Sequence, residues 1–202
     1  MHLSILDPSQ IKLLPFLAQF SPQFGLVGGT AIALQLGHRR SIDFDLFTTS
    51  QLQIETLKQK LRTQGSIEHT FIESQLELSV LLKGVKLTFH QFPFHLNFTI
   101  SLENLIFMPN LITLAAMKAV ALGKRSKWKD YVDLYFLLQK LNLEDISTQA
   151  NKIFGSEFNE KLFRVQLAYF KDIDYSEQVN FMTGFEVDNE VIKNFLEKKS
   201  IN

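Results

Sequence analysis

The sequence predicts an α/β (α+β) chain: a mixed sheet with flanking helices, followed by a C-terminal helical subdomain. Strand-like stretches alternate with helix-like ones up to about residue 108, whereas from Pro109 onward the apolar residues fall at helical spacing. The 202 residues, 46% of them hydrophobic, suffice for a sizeable core in one domain or in two small fused ones. The change of pattern between Phe107 and Asn110 sets an expected division into an α/β core, 1–108, and a helical subdomain, 109–202. With no long linker between them, the two halves are expected to pack and form a cleft.

Taken in order, Pro8 to Phe20 carries Ile11, Leu14, Leu17 and Phe20 at helical spacing, and FGLVGG (24–29) reads as a short buried strand closed by a glycine turn. TAIALQL (30–36) reads as a two-turn helix with Thr30 as N-cap and Gly37 as terminator. SIDFDLF (41–47) alternates as a half-buried strand does, and QLQIETLKQKLRTQG (51–65) is amphipathic and closes on Gly65. Three strand-like stretches follow: SIEHTFIES (66–74), QLELSVLL (75–82) and, after a Lys83-Gly84 turn, VKLTFHQF (85–92). In the second half, NLITLAAMKAVALG (110–123) and KWKDYVDLYFLLQKL (127–141) show dense helical periodicity, with further helices expected at about 158–171 and 188–199.

Composition narrows the chemistry. Lys+Arg and Asp+Glu balance at 21 each, so no global field draws the chain to nucleic acid or membrane, and an anionic partner has to be held by a local cluster. Cysteine is absent, which removes disulfides, thiolate catalysis and zinc-thiolate sites. The first residues, MHLSILDPSQ, lack a basic stretch followed by a long apolar run, and no segment approaches about eighteen uninterrupted apolar residues. The expected compartment is the cytoplasm, with no membrane partner.

The stretch GGTAIALQLGHRRSIDFDLF (28–47) concentrates the functional signal. In an extended chain alternate side chains share a face about 6.6 Å apart, so Asp43 and Asp45 point together and repel unless something positive lies between them. Paired carboxylates suit Mg²⁺, which takes oxygen ligands and shares its shell with substrate phosphates. Just upstream, Gly28 and Gly29 let backbone N–H groups approach an anion, Thr30 adds a hydroxyl, and the N-terminus of the following helix favours phosphate.

This pattern of GG-T, short helix and GHRRSIDFDLF resembles motif I of the minimal nucleotidyltransferases of the DNA polymerase beta superfamily, most closely the abortive-infection AbiEii/AbiGii toxin-like branch. LITLAAMKAVALGKRSKWKDYVDLYFLL (111–138) is similar to that family's second signature, a helix carrying a lysine followed by one that begins with a basic residue and an aspartate. The resemblance spans about residues 24–140. It implies a nucleotidyltransferase-like fold in which Gly28, Gly29 and Thr30, with Arg40 beside them, bind phosphate. Asp43 and Asp45 would hold Mg²⁺ (or Mn²⁺), Lys118 would contact the triphosphate of an NTP, and Asp130 would match the late acidic position. It further implies transfer of a nucleoside monophosphate to a hydroxyl, with an RNA end, notably of tRNA, as the best-known acceptor in toxins of this kind, and a cognate antitoxin as partner.

Plainer readings stand beside these. Arg39 and Arg40 read as an exposed basic turn, or Arg40 as a neutralising partner of the acid pair. Lys118 falls beside an apolar stripe of Leu114, Met117 and Ala121, where a lysine ordinarily lays its stem along the core with its ammonium in water. Asp130 fits first-turn dipole compensation behind a Ser126 N-cap, and Asp133, flanked by Val132 and Leu134, fits pairing with a base or a local cap. The family's third carboxylate has no counterpart in GVKLTFHQF, whose polar face carries Lys86, Thr88 and His90. Asp130 or Glu77 fills that role, His90 acts as base, or activity is reduced or lost. Two other functions fit the chain: a catalytically degenerate nucleotide-binding or antitoxin-type interaction protein, for which FHQFPFHLNF (89–98) offers a sticky surface or merely core, and a small-molecule, antibiotic-type nucleotidyltransferase.

Overall fold

A computed structural model describes residues 1–201. It contains seven strands, β1 (Gly25–Val27), β2 (Asp43–Thr48), β3 (Ile67–Glu73), β4 (Glu77–Leu82), β5 (Val85–Gln91), β6 (Ile100–Leu102) and β7 (Ile106–Met108). The helices are α1 (Pro8–Leu17), α2 (Gly28–Leu36), α3 (Ile54–Arg62), α4 (Leu111–Leu122), α5 (Trp128–Leu138), α6 (Leu143–Phe154), α7 (Glu160–Leu167) and α8 (Asn189–Ile201). The chain divides into two compact units. The first comprises Met1–Gln35 and Ser41–Asn110, the second Leu36–Arg40 and the chain from Leu111 onward. The short segment Leu36–Arg40, which the sequence pattern placed with the first half, belongs by its contacts to the second.

In the first unit a five-stranded mixed sheet runs in the order β1-β2-β5-β4-β3, with β2 and β5 parallel and the other neighbours antiparallel. The period of two sorts its residues onto two faces. One face is apolar and buried: Phe44 and Leu46 of β2, Leu87 and Phe89 of β5, and Leu78 and Val80 of β4 stand in register. The Phe20 and Phe24 rings cover it, with centroids 4.9 and 5.4 Å from Phe89. The other face carries Asp43, Asp45 and Phe47 on β2 beside Lys86, Thr88 and His90 on β5. A small hairpin of β6 and β7, absent from the elements the sequence predicts, adds Leu102, Ile106 and Met108 to the core beside β1.

Entry to α1 is fixed by a reciprocal cap: the Asp7 side chain accepts from the Ser9 and Gln10 N–H groups, and Gln10 accepts from the Asp7 N–H. The buried side of α1 is Leu13, Leu14, Phe16 and Leu17, and Ile11, expected inward, is 47% exposed. Helix α2 begins two residues earlier than the sequence suggests, so Thr30 lies inside it rather than at its N-cap.

The second unit is helical, with α4 packed on α5, α6 and α7, and α8 on α5 and α7. Helix α6 has no counterpart among the expected elements, although its buried Leu143, Ile146, Ala150 and Phe154 lie at helical spacing. The N-cap of α5 is Lys127, not Ser126, and it makes no side-chain cap bond. Between α7 and α8 an irregular strap is pinned by backbone bonds: Arg40 N–H donates to Asn180, Met182 N–H to His38, and Asp174 N–H to Ser126.

Candidate functional site

In the first unit, the glycine turn and the acid pair are built against each other. Strand β1 ends at Val27, which stands opposite Asp45 of β2, so the turn at Gly28 lies beside the carboxylate. Gly28 has φ +71, and a Cβ there would come within 2.2 Å of the Asp45 Oδ2. Glycine is required twice over, by backbone conformation and by the approach of the carboxylate. Gly29 follows in the first turn of α2, where unpaired N–H groups and the helix dipole favour negative charge. Thr30 is 1% exposed, and its hydroxyl donates to the Asp43 carbonyl and lies 2.8 Å from Ser41 Oγ. It ties α2 to the start of the acid-bearing strand.

Asp43 and Asp45 are both half-buried on one face of β2, as the alternation predicts. In register beside them stand Lys86 and Thr88, and the Thr88 hydroxyl lies 3.3 Å from Ser79 Oγ. The next residue down this face of β5 is His90, whose Nδ1 is 3.4 Å from Glu77 Oε2, at ion-pair distance but without hydrogen-bond geometry. Among the described residues no group of three or more His, Asp or Glu side chains is placed to hold a metal ion. Two half-exposed carboxylates nevertheless suit Mg²⁺ or Mn²⁺, which is commonly bound by one or two carboxylates plus substrate phosphates and water.

The second unit holds a buried ionic cluster. Helix α5 places Asp130 and Asp133 at i and i+3, both 0% exposed. The Arg39 guanidinium grips Asp133 with two bonds, Nε to Oδ1 at 2.7 Å and Nη2 to Oδ2 at 2.8 Å. His38 Nε2 lies 2.8 Å from the same Oδ1. The Lys118 ammonium, from α4, is 2.8 Å from Asp133 Oδ2 and also hydrogen-bonds Asp130. Arg125 completes the group, with Nε 2.8 Å from Asp130 Oδ2. The plain reading of Lys118 as a solvated lysine is therefore corrected: only 5% of the residue is exposed, because two carboxylates receive its charge. Arg39, read as part of an exposed turn, is 4% exposed, whereas Arg40 is exposed as that reading expected.

Electrostatics follow from this geometry. Burial pushes the Asp133 carboxyl up, but Arg39, Lys118 and the His38 bond outweigh it and hold it well below the usual carboxylate range. Asp130 is likewise lowered, burial being outweighed by Lys118 and Arg125. Lys118 is raised by Asp133 and Asp130 against its own burial. Burial lowers His38 despite Asp133, so it is neutral near pH 7, donates through Nε2, and leaves a buried Nδ1 without a hydrogen-bond partner.

The reading of Asp133 as paired with a base holds, with Arg39 and Lys118 as its cations, but sequence reasoning did not name Arg39, Lys118 or His38 as its partners. A signal existed: an aspartate between Val132 and Leu134 inside an apolar helix has to be charge-paired if buried.

Similarity to known proteins agrees with these features. The chain is 30% identical over 160 residues to an uncharacterized protein of Aquifex aeolicus, covering 74% of each chain. It is similar in structure to MenT4, a nucleotidyltransferase toxin of Mycobacterium tuberculosis, with a TM-score of 0.64 at 13% identity over 94% of this chain and 80% of that one. It is also similar to JHP933 of Helicobacter pylori, with a TM-score of 0.59 at 16% identity over 96% and 89%. The two structural likenesses show that the chain shares the fold of these proteins. The family model described as "Nucleotidyl transferase AbiEii toxin, Type IV TA system" matches residues 16–75 and 68–181, so the chain belongs to the AbiEii nucleotidyltransferase toxin family of type IV toxin–antitoxin systems.

Proposed function

We propose that this chain moves a nucleoside monophosphate from an NTP to a hydroxyl acceptor, with an RNA end such as that of tRNA as the acceptor, and that a cognate antitoxin restrains it in the cytoplasm. The observation that carries this is the pressing of the Asp45 carboxylate against Gly28, which joins two carboxylates and a phosphate-type turn in one corner of the first unit. Asp43 and Asp45 would hold Mg²⁺ or Mn²⁺ through their carboxylates. The chemistry supplied by that ion is neutralisation of charge at the α-phosphoryl oxygens and the departing pyrophosphate. The Gly28 and Gly29 N–H groups, with the α2 dipole, would orient the triphosphate. Thr30 would contribute by fixing the Asp43 backbone, its hydroxyl being committed there.

Only the family resemblance assigns Lys118 and Asp130 to the reaction; in this chain the two pair with each other, and Lys118 pairs with Asp133 as well. For the acceptor's proton, His90 with Glu77 beside it is the pair on the acid-bearing face of the sheet. His90→Gln is expected to slow transfer on the order of a hundredfold without weakening NTP binding. The main test is titration calorimetry with Mn²⁺ and a non-hydrolysable NTP: wild type should bind the nucleotide only with metal present, and the Asp43→Ala, Asp45→Ala double variant should not. Equal binding by the double variant would remove the acid pair from the site.

A further inference from the structure

Beyond Asp43 and Asp45, the same face of β2 ends in an aromatic cleft. Phe47 follows Asp45 on that face, about 6.6 Å further along the strand. Its ring centroid is 5.0 Å from that of Phe92, which is 5.5 Å from that of Phe94. Phe98 closes another side, pressed so tightly on Gly25 that a Cβ there would meet its ring at 2.0 Å. The space among these rings is about 260 Å³, and Gln23, Thr49, Ser50 and His95 supply its polar rim. All four rings are half-buried, so each keeps part of its surface open.

The lining selects a class of occupant. It contains no Asp, Glu, Lys or Arg, so it is not built for an ion. Aromatic walls take a flat ring by stacking, and an amide and hydroxyls satisfy the polar edge of a heterocycle. The volume falls below the roughly 300–1,000 Å³ of sites that engulf a drug-sized ligand, so a ring system fits while any charged remainder stays outside. The strand leading out of the cleft is the one that carries the two carboxylates. We propose that this cleft is a nucleobase pocket, receiving the base of the NTP or that of the acceptor nucleotide. The proposal rests on the reading of the chain as a nucleotidyltransferase, because that reading puts a nucleotide on this face of the sheet.

The experiment compares wild type with Phe92→Ala and with Phe92→Leu, which keeps bulk but removes the ring, each shown to be folded by circular dichroism. Calorimetry with Mn²⁺ uses inorganic tripolyphosphate, the four non-hydrolysable NTPs, and a short single-stranded RNA beside its abasic counterpart. If the NTP base is the occupant, both variants lose roughly tenfold in NTP affinity while tripolyphosphate binding is unchanged. If the acceptor base is the occupant, the variants bind NTPs normally and lose the preference for RNA over its abasic form. A Phe92→Leu protein that binds every base-bearing ligand as wild type does overturns the proposal. Failure of tripolyphosphate to bind wild type would count against the acid-pair reading alone. The cleft is read separately with free nucleosides, which should shift the Thr48, Thr49 and Ser50 amide resonances; silence there also overturns it.

Discussion

A single atom decides how closely the Gly28 turn approaches the acid pair. Gly28→Ala would set a methyl 2.2 Å from Asp45 Oδ2 and impose φ +71 on an L-residue, a strain of about 1–3 kcal/mol. The expected outcome is a modest fall in melting temperature and a much larger fall in Mn²⁺ affinity, read by calorimetry, because the carboxylate has to move. In the second unit, Asp133→Asn leaves Arg39 and Lys118 buried beside a neutral group and should cost about 3–5 kcal/mol in urea unfolding. The pH dependence has a definite sign. Asp133 and Asp130 titrate below their usual value near 3.8 in the folded chain, so their stabilisation is present above that pH and is lost as pH falls through the folded values. His38 is also lowered, from 6.5, so its share begins to vanish as pH drops below 6.5. His38→Gln should flatten that upper step of the acid limb and leave the lower one, as followed by urea midpoints between pH 3 and pH 8. The acid pair was legible from alternation alone, since Asp-x-Asp on a strand has only one arrangement of faces. The Arg39–Asp133 grip was not, because the two residues are 94 positions apart and only the fold brings them together.

At the scale of elements, periodicity reads well where burial is one-sided. Strand β2 alternates half-buried and buried along its whole length, and α4 and α5 sit where dense apolar spacing puts them. It reads poorly where polar residues dilute the stripe, as in α6, or where a strand is three residues long, as in β6 and β7. Caps were misread for a physical reason. A glycine with positive φ can open a helix directly, so α2 needs no Thr30 cap, and the hydroxyl is freed to bind the Asp43 carbonyl. The Asp7 cap of α1 is by contrast complete, with both reciprocal bonds formed. Asp7→Ala should lower stability by about 1 kcal/mol in chemical denaturation and leave metal binding unchanged.

For the whole molecule, equal numbers of positive and negative charges mean that any recognition of nucleic acid or nucleotide is local. Among the described residues no helix is long and apolar enough to cross a membrane. Family membership makes the toxin reading testable in cells: expression alone should slow bacterial growth, and Asp45→Asn should relieve it while the protein accumulates to the same level, as followed by growth curves and immunoblots. Overall fold class was legible because the pattern of elements changes near residue 108, while the placing of Leu36–Arg40 in the second unit goes with the Arg39–Asp133 ion pair, the His38–Asp133 hydrogen bond and backbone bonds to Asn180 and Met182, which no local pattern encodes. The central claim is that Asp43 and Asp45 serve metal-dependent nucleotidyl transfer, and its most direct test is incubation with each α-labelled NTP and total RNA, with Mg²⁺ present or chelated. The account predicts label on RNA only with wild type and Mg²⁺, reduced on the order of a hundredfold or more in Asp45→Asn. Equal labelling by wild type and variant, or none from any NTP, would contradict it.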